Sequence, residues 1–277
     1  MKGLSYAVSD TLVLAKRSLL RIPRAPDLLL SFTVQPIMFV LLFAYVFGGA
    51  IPLPDGNYRE YLMGGIMAQT MVFTSFGVAL SIANDRKNNA VDRFRSLPIA
   101  KGAVLTGHAI ANLIKSALPI VLMSLVGLVV GWRIRTNVLD ALGGYLLLVV
   151  FAFAMIWVGV LLGSAIATPE GVTGIAFVVL FPLTFAASTF VPLARVGADG
   201  QMEDTMPGVL QTIAEWNPVT TLSNATRIQF GNPVADNGPT PPWPIQHPGL
   251  YTVIWAIGIV AVCAPLAVRA YDRSIKK

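Results

Sequence analysis

Charge is what this sequence has least of. Only 12% of its 277 residues are Asp, Glu, Lys or Arg, while 55% are hydrophobic. A soluble domain carries about 25% charged residues, so a water-soluble globule is excluded. Cysteine is nearly absent. The single thiol, Cys263, has no partner for an internal disulfide and falls in an apolar run, where it reads as a small buried apolar side chain. The two histidines, His108 and His247, stand far apart, and no cluster has metal-ligand spacing. No lysine occupies a Gly-x-x-x-x-Gly-Lys-Ser/Thr frame: Ala, Ala and Ile precede Lys16, Lys101 and Lys115. The chain therefore lacks a P-loop, and neither ATP nor another cofactor is expected on it. The apolar stretches do not alternate with polar residues, which sets aside a transmembrane barrel.

What is present is a series of apolar runs of about 20 residues, the length that crosses a bilayer as a helix. They predict an all-α polytopic membrane protein with six transmembrane helices, at residues 28–48, 61–83, 108–130, 139–167, 172–190 and 250–270. Pro36 and Pro182 are expected to kink the first and fifth. Gly64-Gly65 in the second span, and Gly143-Gly144, Gly159 and Gly163-Ser164 in the fourth, favour close helix packing.

Residues 1–27 precede the first run. Val8, Leu12, Ala15, Leu19 and Ile22 recur at spacings of three or four, with Lys16, Arg17, Arg21 and Arg24 off that stripe. This reads as an N-terminal amphipathic interfacial helix on anionic membrane lipids; an ordinary basic juxtamembrane segment is the alternative. The first run exceeds a signal-peptide core of about 7–15 residues, so it is expected to stay as an anchor.

The extracytoplasmic loop 191–248 is the longest stretch outside the spans. Residues 206–214 and 219–230 suit two short helices, a hairpin before the last span, with Pro207 at a helix start and Asn217-Pro218 between the pieces. Residues 232–248 are proline-rich and predict an extended surface loop. Trp216 and Trp243 suit a membrane interface. Asn224-Ala225-Thr226 matches a glycosylation triplet, a pattern common by chance.

The net charge of +6 would point to nucleic acid in a soluble protein. Here the basic residues gather at span ends, where a membrane is sufficient explanation, and no nucleic acid is expected. With six spans, the Lys/Arg bias puts both termini in the cytoplasm. The outer side then holds Arg59, Arg133, Arg135, Arg195 and Arg227, the pair at 133 and 135 fitting least well. Lys115 lies one and a half to two turns inside the third span. Two readings stand: a functional ionisable group at depth, or a side chain snorkelling back to the headgroups. His108 reads as an interfacial residue.

The densest charged run, residues 84–98, lies between the second and third spans. Val91, Phe94 and Leu97 recur every third residue, near one side of a short helix that Pro98 ends. Arg86, Lys87, Asp92, Arg93 and Arg95 fill most of the rest. It is either a solvated loop or a docking helix that presents Phe94 to a partner.

Three pieces in order resemble one family. Asp92-Arg93-Phe94-Arg95-Ser96-Leu97-Pro98 is similar to the cytoplasmic motif of type 2 ABC transporter permeases, the daunorubicin-resistance group in particular. Phe181-Pro182-Leu183-Thr184-Phe185 through Pro192-Leu193 looks like that family's fifth span. Ile213-Ala214-Glu215-Trp216-Asn217-Pro218-Val219-Thr220, then Asn224-Ala225-Thr226-Arg227, resembles its signature before the last span. The resemblance covers essentially the whole chain. This sequence departs from it at residues 85–90, where an acidic residue and a glycine are more usual, and in the proline-rich insertion at 232–248.

The resemblance implies a permease subunit of an exporter of amphiphilic drugs, lipids or glycans in a bacterial plasma membrane. Two copies of the permease would pair with two copies of a separate ABC ATPase subunit, which would hold ATP and Mg. The run 84–98 would be the coupling helix, with Asp85, Arg86, Asp92, Arg93, Phe94, Arg95, Leu97 and Pro98 at the partner contact. Residues 28–277 would form the six-span domain, with the hairpin re-entering from the outward side. Phe39, Phe43, Phe73, Phe76, Phe177 and Phe181 are candidates for the substrate path, against the competing reading of packing or lipid contact. A lipid-modifying membrane enzyme is the alternative function; it calls for paired carboxylates or histidines near one membrane face. A channel or scaffold without a pump is the third.

Overall fold

The computed structural model describes residues 34, 36–48, 51, 53, 57–87, 101–166, 168–196, 202–234 and 241–275. The expected interfacial helix at 1–27 lies outside them. So does most of the coupling run, including Asp92, Arg93, Phe94, Arg95, Leu97 and Pro98.

Among the described residues the regular structure is helical apart from one small ribbon. We label the helices α1 (Pro36–Phe47), α2 (Tyr58–Lys87), α3 (Lys101–Val130), α4 (Val138–Ala165), α5 (Pro169–Phe185), α6 (Gly208–Glu215), α7 (Pro218–Phe230), α8 (Trp243–Gln246) and α9 (Pro248–Ile275). Strands β1 (Ala194–Val196) and β2 (Met202–Asp204) pair antiparallel. Among the described residues four helices, α2, α3, α4 and α9, are long and apolar enough to cross a membrane, while α1 and α5 are shorter apolar helices.

Local chemistry sets the starts. The Asn57 side chain accepts from Arg59 N at the head of α2, Asn137 accepts from Asp140 N at α4, and Thr168 accepts from Gly171 N ahead of Pro169 at α5. Gly231, with φ +68°, closes α7 in the left-handed conformation that suits glycine, its N–H reaching the Arg227 and Ile228 carbonyls.

The middle of the bundle is α2 against α4. Their approach is set by glycine: a Cβ at Gly163 would meet the Ala79 carbonyl at 2.6 Å, and one at Gly159 would collide with the Ser75 carbonyl. About two thirds of the apolar part of α2 is buried, whereas α9 buries 22% of its own and α3 33%. Those two helices leave Leu118, Val121, Leu125, Ile257, Val262 and Leu266 exposed, the side suited to lipid. Cys263 is half-buried against the cluster around Trp157.

Several boundaries differ from the sequence reading. Helix α3 begins at Lys101, two turns ahead of the expected span start at His108, because nothing between them stops a helix. The fifth apolar helix ends at Phe185, not Phe190. The proline-rich stretch is not wholly extended, since Trp243–Gln246 forms one helical turn.

Candidate functional site

The early end of α5 is the centre of the site. Past Phe185 the chain leaves the helix while staying buried: Ala187, Ser188, Thr189 and Phe190 are all inside the protein. Backbone that leaves a helix within an apolar layer must find partners from protein, because lipid supplies none. Helix α7 supplies them. Asn217, its N-cap, accepts from Val219 N and donates Nδ2 to the last-turn carbonyl of Leu183 at 2.7 Å. Thr220 Oγ1 accepts from Ser188 N at 3.0 Å. Asn217, Thr220, Asn224 and Arg227 fall at spacings of three and four, one face of the helix, and that face covers the broken end of α5.

Arg227 completes the cover and is fully buried. Its Nε donates to Tyr61 O at 2.8 Å. Nη1 donates to Asn224 Oδ1 at 2.8 Å and Ser188 Oγ at 3.3 Å; Nη2 donates to Ser188 O at 2.8 Å and Thr189 O at 3.3 Å. A guanidinium has five N–H donors, so all are used, every one on a neutral oxygen. Its flat face lies on the Tyr61 ring, 3.5 Å from the centroid. Burying a cation costs several kcal/mol. Carbonyl dipoles at the end of α5 and the Tyr61 ring face offset that cost. Tyr58 and Tyr61 add two bonds from α2, their hydroxyls donating to Phe190 O at 2.9 Å and Ser188 O at 2.8 Å. Gly64 and Gly65 let α2 come this close. A Cβ at Gly64 would meet Arg227 Cγ at 2.7 Å, and one at Gly65 would run into the Thr189 main chain.

The sequence reading counts Arg227 among the outer-side charges without giving it a partner; its side chain is fully buried. The spacing of the signature was visible, but its direction was not. Asn224 is likewise buried, which rules it out as a glycan acceptor.

From this anchored turn the Phe190 ring joins a row of aromatic side chains. Phe190 stacks on Phe43 with centroids 4.1 Å apart and on Phe39 at 5.9 Å. On its other side it meets Phe185 at 5.2 Å, which continues to Phe181 at 4.5 Å and Phe177 at 5.8 Å. Four substrate-path candidates, Phe39, Phe43, Phe177 and Phe181, therefore lie in one row joining α1 to α5. Phe177 is 56% exposed, so the row ends at the surface. Phe73 and Phe76 are half-buried on α2 and lie outside it; Phe76 packs beside Ala79, Ala83 and Val172.

At the same end of the bundle, Arg59 donates to Val130 O at 3.2 Å and Arg133 Nη1 to Leu128 O at 2.7 Å, both closing the end of α3. Arg135 grips the buried Glu60 carboxylate, Nη2 to Oε1 at 2.7 Å. Its hydrogen bonds to Glu60, and next the Glu60 charge, hold that guanidinium above its ordinary value. The arginine pair that fitted the orientation rule least well thus has local acceptors for both members. Nearby, Trp216, Tyr251, Trp243 and Trp255 form a ring cluster at the head of α9, all three indoles being exposed.

At the opposite end α2 runs on through Asp85, which is half-buried, and Arg86 to Lys87. Lys87 and Glu170 pair at 3.4 Å across to the start of α5. Lys115 is half-buried in α3. Among the described residues no group of three His, Cys, Asp or Glu could hold a metal.

Comparison with known proteins agrees with this layout. The profile of the ABC-2 type transporter family matches residues 9–230. The daunorubicin resistance ABC transporter permease protein DrrB1 of Streptomyces coeruleorubidus is 31% identical over 96% of this chain and 87% of its own length. The probable doxorubicin resistance ABC transporter permease protein DrrC of Mycobacterium tuberculosis is 24% identical over 94% of the chain and 88% of its own. A putative transport permease, ycf38 of Cyanophora paradoxa, is 24% identical over 82% and 76%. This chain is a multi-pass membrane protein that belongs to the ABC-2 type transporter family.

Proposed function

We propose that this chain is the membrane-spanning permease subunit of an ATP-binding cassette exporter. It moves amphiphilic drugs or lipids out across a bacterial plasma membrane, with energy from a separate ATPase subunit. The observation that carries the reading is the aromatic row between α1 and α5 in a chain of this family. A row of stacked rings that ends at the apolar surface offers a flat, non-directional face to amphiphiles entering from the membrane. The names of two relatives, a daunorubicin resistance permease and a probable doxorubicin resistance permease, favour a drug among such cargoes.

The rest of the proposal concerns architecture. Six spans place both termini and residues 84–98 in the cytoplasm and the α6–α7 hairpin outside. Two copies of the chain meet along α1 and α5, and two ATPase subunits each take one coupling helix. Phe94 is the apolar anchor in the ATPase groove, the charged residues around it setting register. Closure of the ATPase dimer on ATP moves that helix as a rigid element, and α2, which leads directly into it, carries the motion to the α5 turn.

Co-purification tests this. The wild-type chain should bring down an ABC ATPase at equal stoichiometry. Phe94→Ala should leave the permease expressed and folded while ATP hydrolysis continues without export. Wild-type export by that variant at normal expression contradicts the docking role.

A further inference from the structure

We infer that Arg227 is a positioning residue for the outward gate, and that the part it positions is the turn carrying Phe190. The inference rests on the exporter reading above and adds a role for a residue remote from cargo.

Two sides of the turn are held differently. Its main chain is fastened from behind: Ser188 O accepts from Tyr61 Oη and Arg227 Nη2, Thr189 O from Arg227, Phe190 O from Tyr58 Oη, and Ser188 N donates to Thr220. These bonds come from α2 and α7, and the end of α5 is tied to the same body: Asn217 Nδ2 donates to Leu183 O at 2.7 Å and Ala186 N to Pro182 O at 2.8 Å. In front, the Phe190 ring is held by stacking alone, against Phe39 and Phe43 of α1 and Phe185 of α5. Stacking is non-directional and lets rings slide, whereas a filled guanidinium fork allows one geometry. The turn, with the end of α5, therefore belongs mechanically to the α2–α7 body, and its ring is the piece that α1 parts from. Opening the outward end means separating the Phe190 ring from its stack on α1 while the Arg227 bonds persist. The cation also explains why nothing looser is used here. Among the described residues no carboxylate neutralises it, so each of its five acceptors must stay in place for the charge to remain buried.

The test places a single thiol at the turn of the full-length chain, in complex with its ATPase in proteoliposomes. Cys263→Ala removes the native thiol, and Thr189→Cys puts one of nearly equal size beside the fork. A membrane-impermeant maleimide is applied from outside without ATP. With Arg227 intact, labelling should be slow. R227K keeps the charge but not the fork, and should speed labelling about tenfold, the result of losing several interhelical bonds. It should also lower export per ATP hydrolysed while leaving hydrolysis itself running. Thr220→Val, which takes one bond from the same turn, should speed labelling about threefold and decides the matter if R227K does not insert. Unchanged labelling in both variants, or faster labelling with export per ATP unaltered, overturns the inference. A wild-type complex that exports nothing would instead count against the exporter reading, and the labelling comparison would still stand.

Discussion

Tyr61 holds Arg227 from two directions at once: its ring lies 3.5 Å beneath the guanidinium, and its carbonyl accepts from Nε at 2.8 Å. A residue on the second helix thus secures a cation more than 160 positions later in the chain. The two contributions separate by mutation. Tyr61→Phe keeps the ring face and loses only the hydroxyl bond to Ser188, and should cost about 0.6–1.7 kcal/mol. Tyr61→Leu also strips the face from a desolvated cation, adding about 2 kcal/mol. Thermal unfolding in detergent should rank wild type, Y61F and Y61L in that order; equal losses would mean the ring face contributes nothing.

The glycines of α2 make a sharper steric prediction. Gly65→Ala drives a methyl into the Thr189 main chain, an atom group that cannot rotate away. The cost should be about 1–3 kcal/mol. Gly258→Ala in α9 meets nothing within 4 Å and should be neutral or gain up to about 1 kcal/mol in helix propensity. Melting temperatures of the two variants should move apart.

Asn217 and Thr220 both serve the broken end of α5, but Asn217 also caps α7. Asn217→Ala should therefore destabilise more than Thr220→Val, by about the 0.5–2 kcal/mol of a lost N-cap. A thermal-shift series on the purified chain checks the order.

Two ion pairs, Arg135–Glu60 and Lys87–Glu170, should behave in opposite ways. Glu60 is buried and relies on Arg135, so Arg135→Ala strands a carboxylate and should lower the melting temperature clearly; adding Glu60→Gln should restore much of the loss. Lys87 and Glu170 are mostly exposed at 3.4 Å, and Lys87→Met should leave stability where it was. A comparable loss from Lys87→Met would contradict the distinction.

The helical membrane architecture was legible because composition and run length respond to the bilayer directly. The small-residue pattern at Gly159 and Gly163 was legible for the same reason: close packing needs small side chains, whatever the partner. The hairpin was readable from Pro207 and Asn217-Pro218, because capping chemistry is local. The fate of Arg227 was not readable. Counting charges by loop assigns every arginine to water, and only tertiary contact shows that a cation can be held by five neutral oxygens and a ring. The end of α5 was missed in the same way. Residues 186–190 are apolar or small enough to continue a span, and what stops them is Asn217 and Thr220, more than thirty positions ahead. Likewise the aromatic row is assembled from α1, α5 and the turn, so no single helix period reveals it.

The most direct test of the account is ATP-driven movement of an amphiphilic dye in proteoliposomes holding this chain with and without its ATPase. Transport should require both subunits and ATP, and should vanish when either protein is left out. ATP-driven transport by this chain alone, or full transport with the ATPase bound anywhere but the Phe94 region, would contradict it.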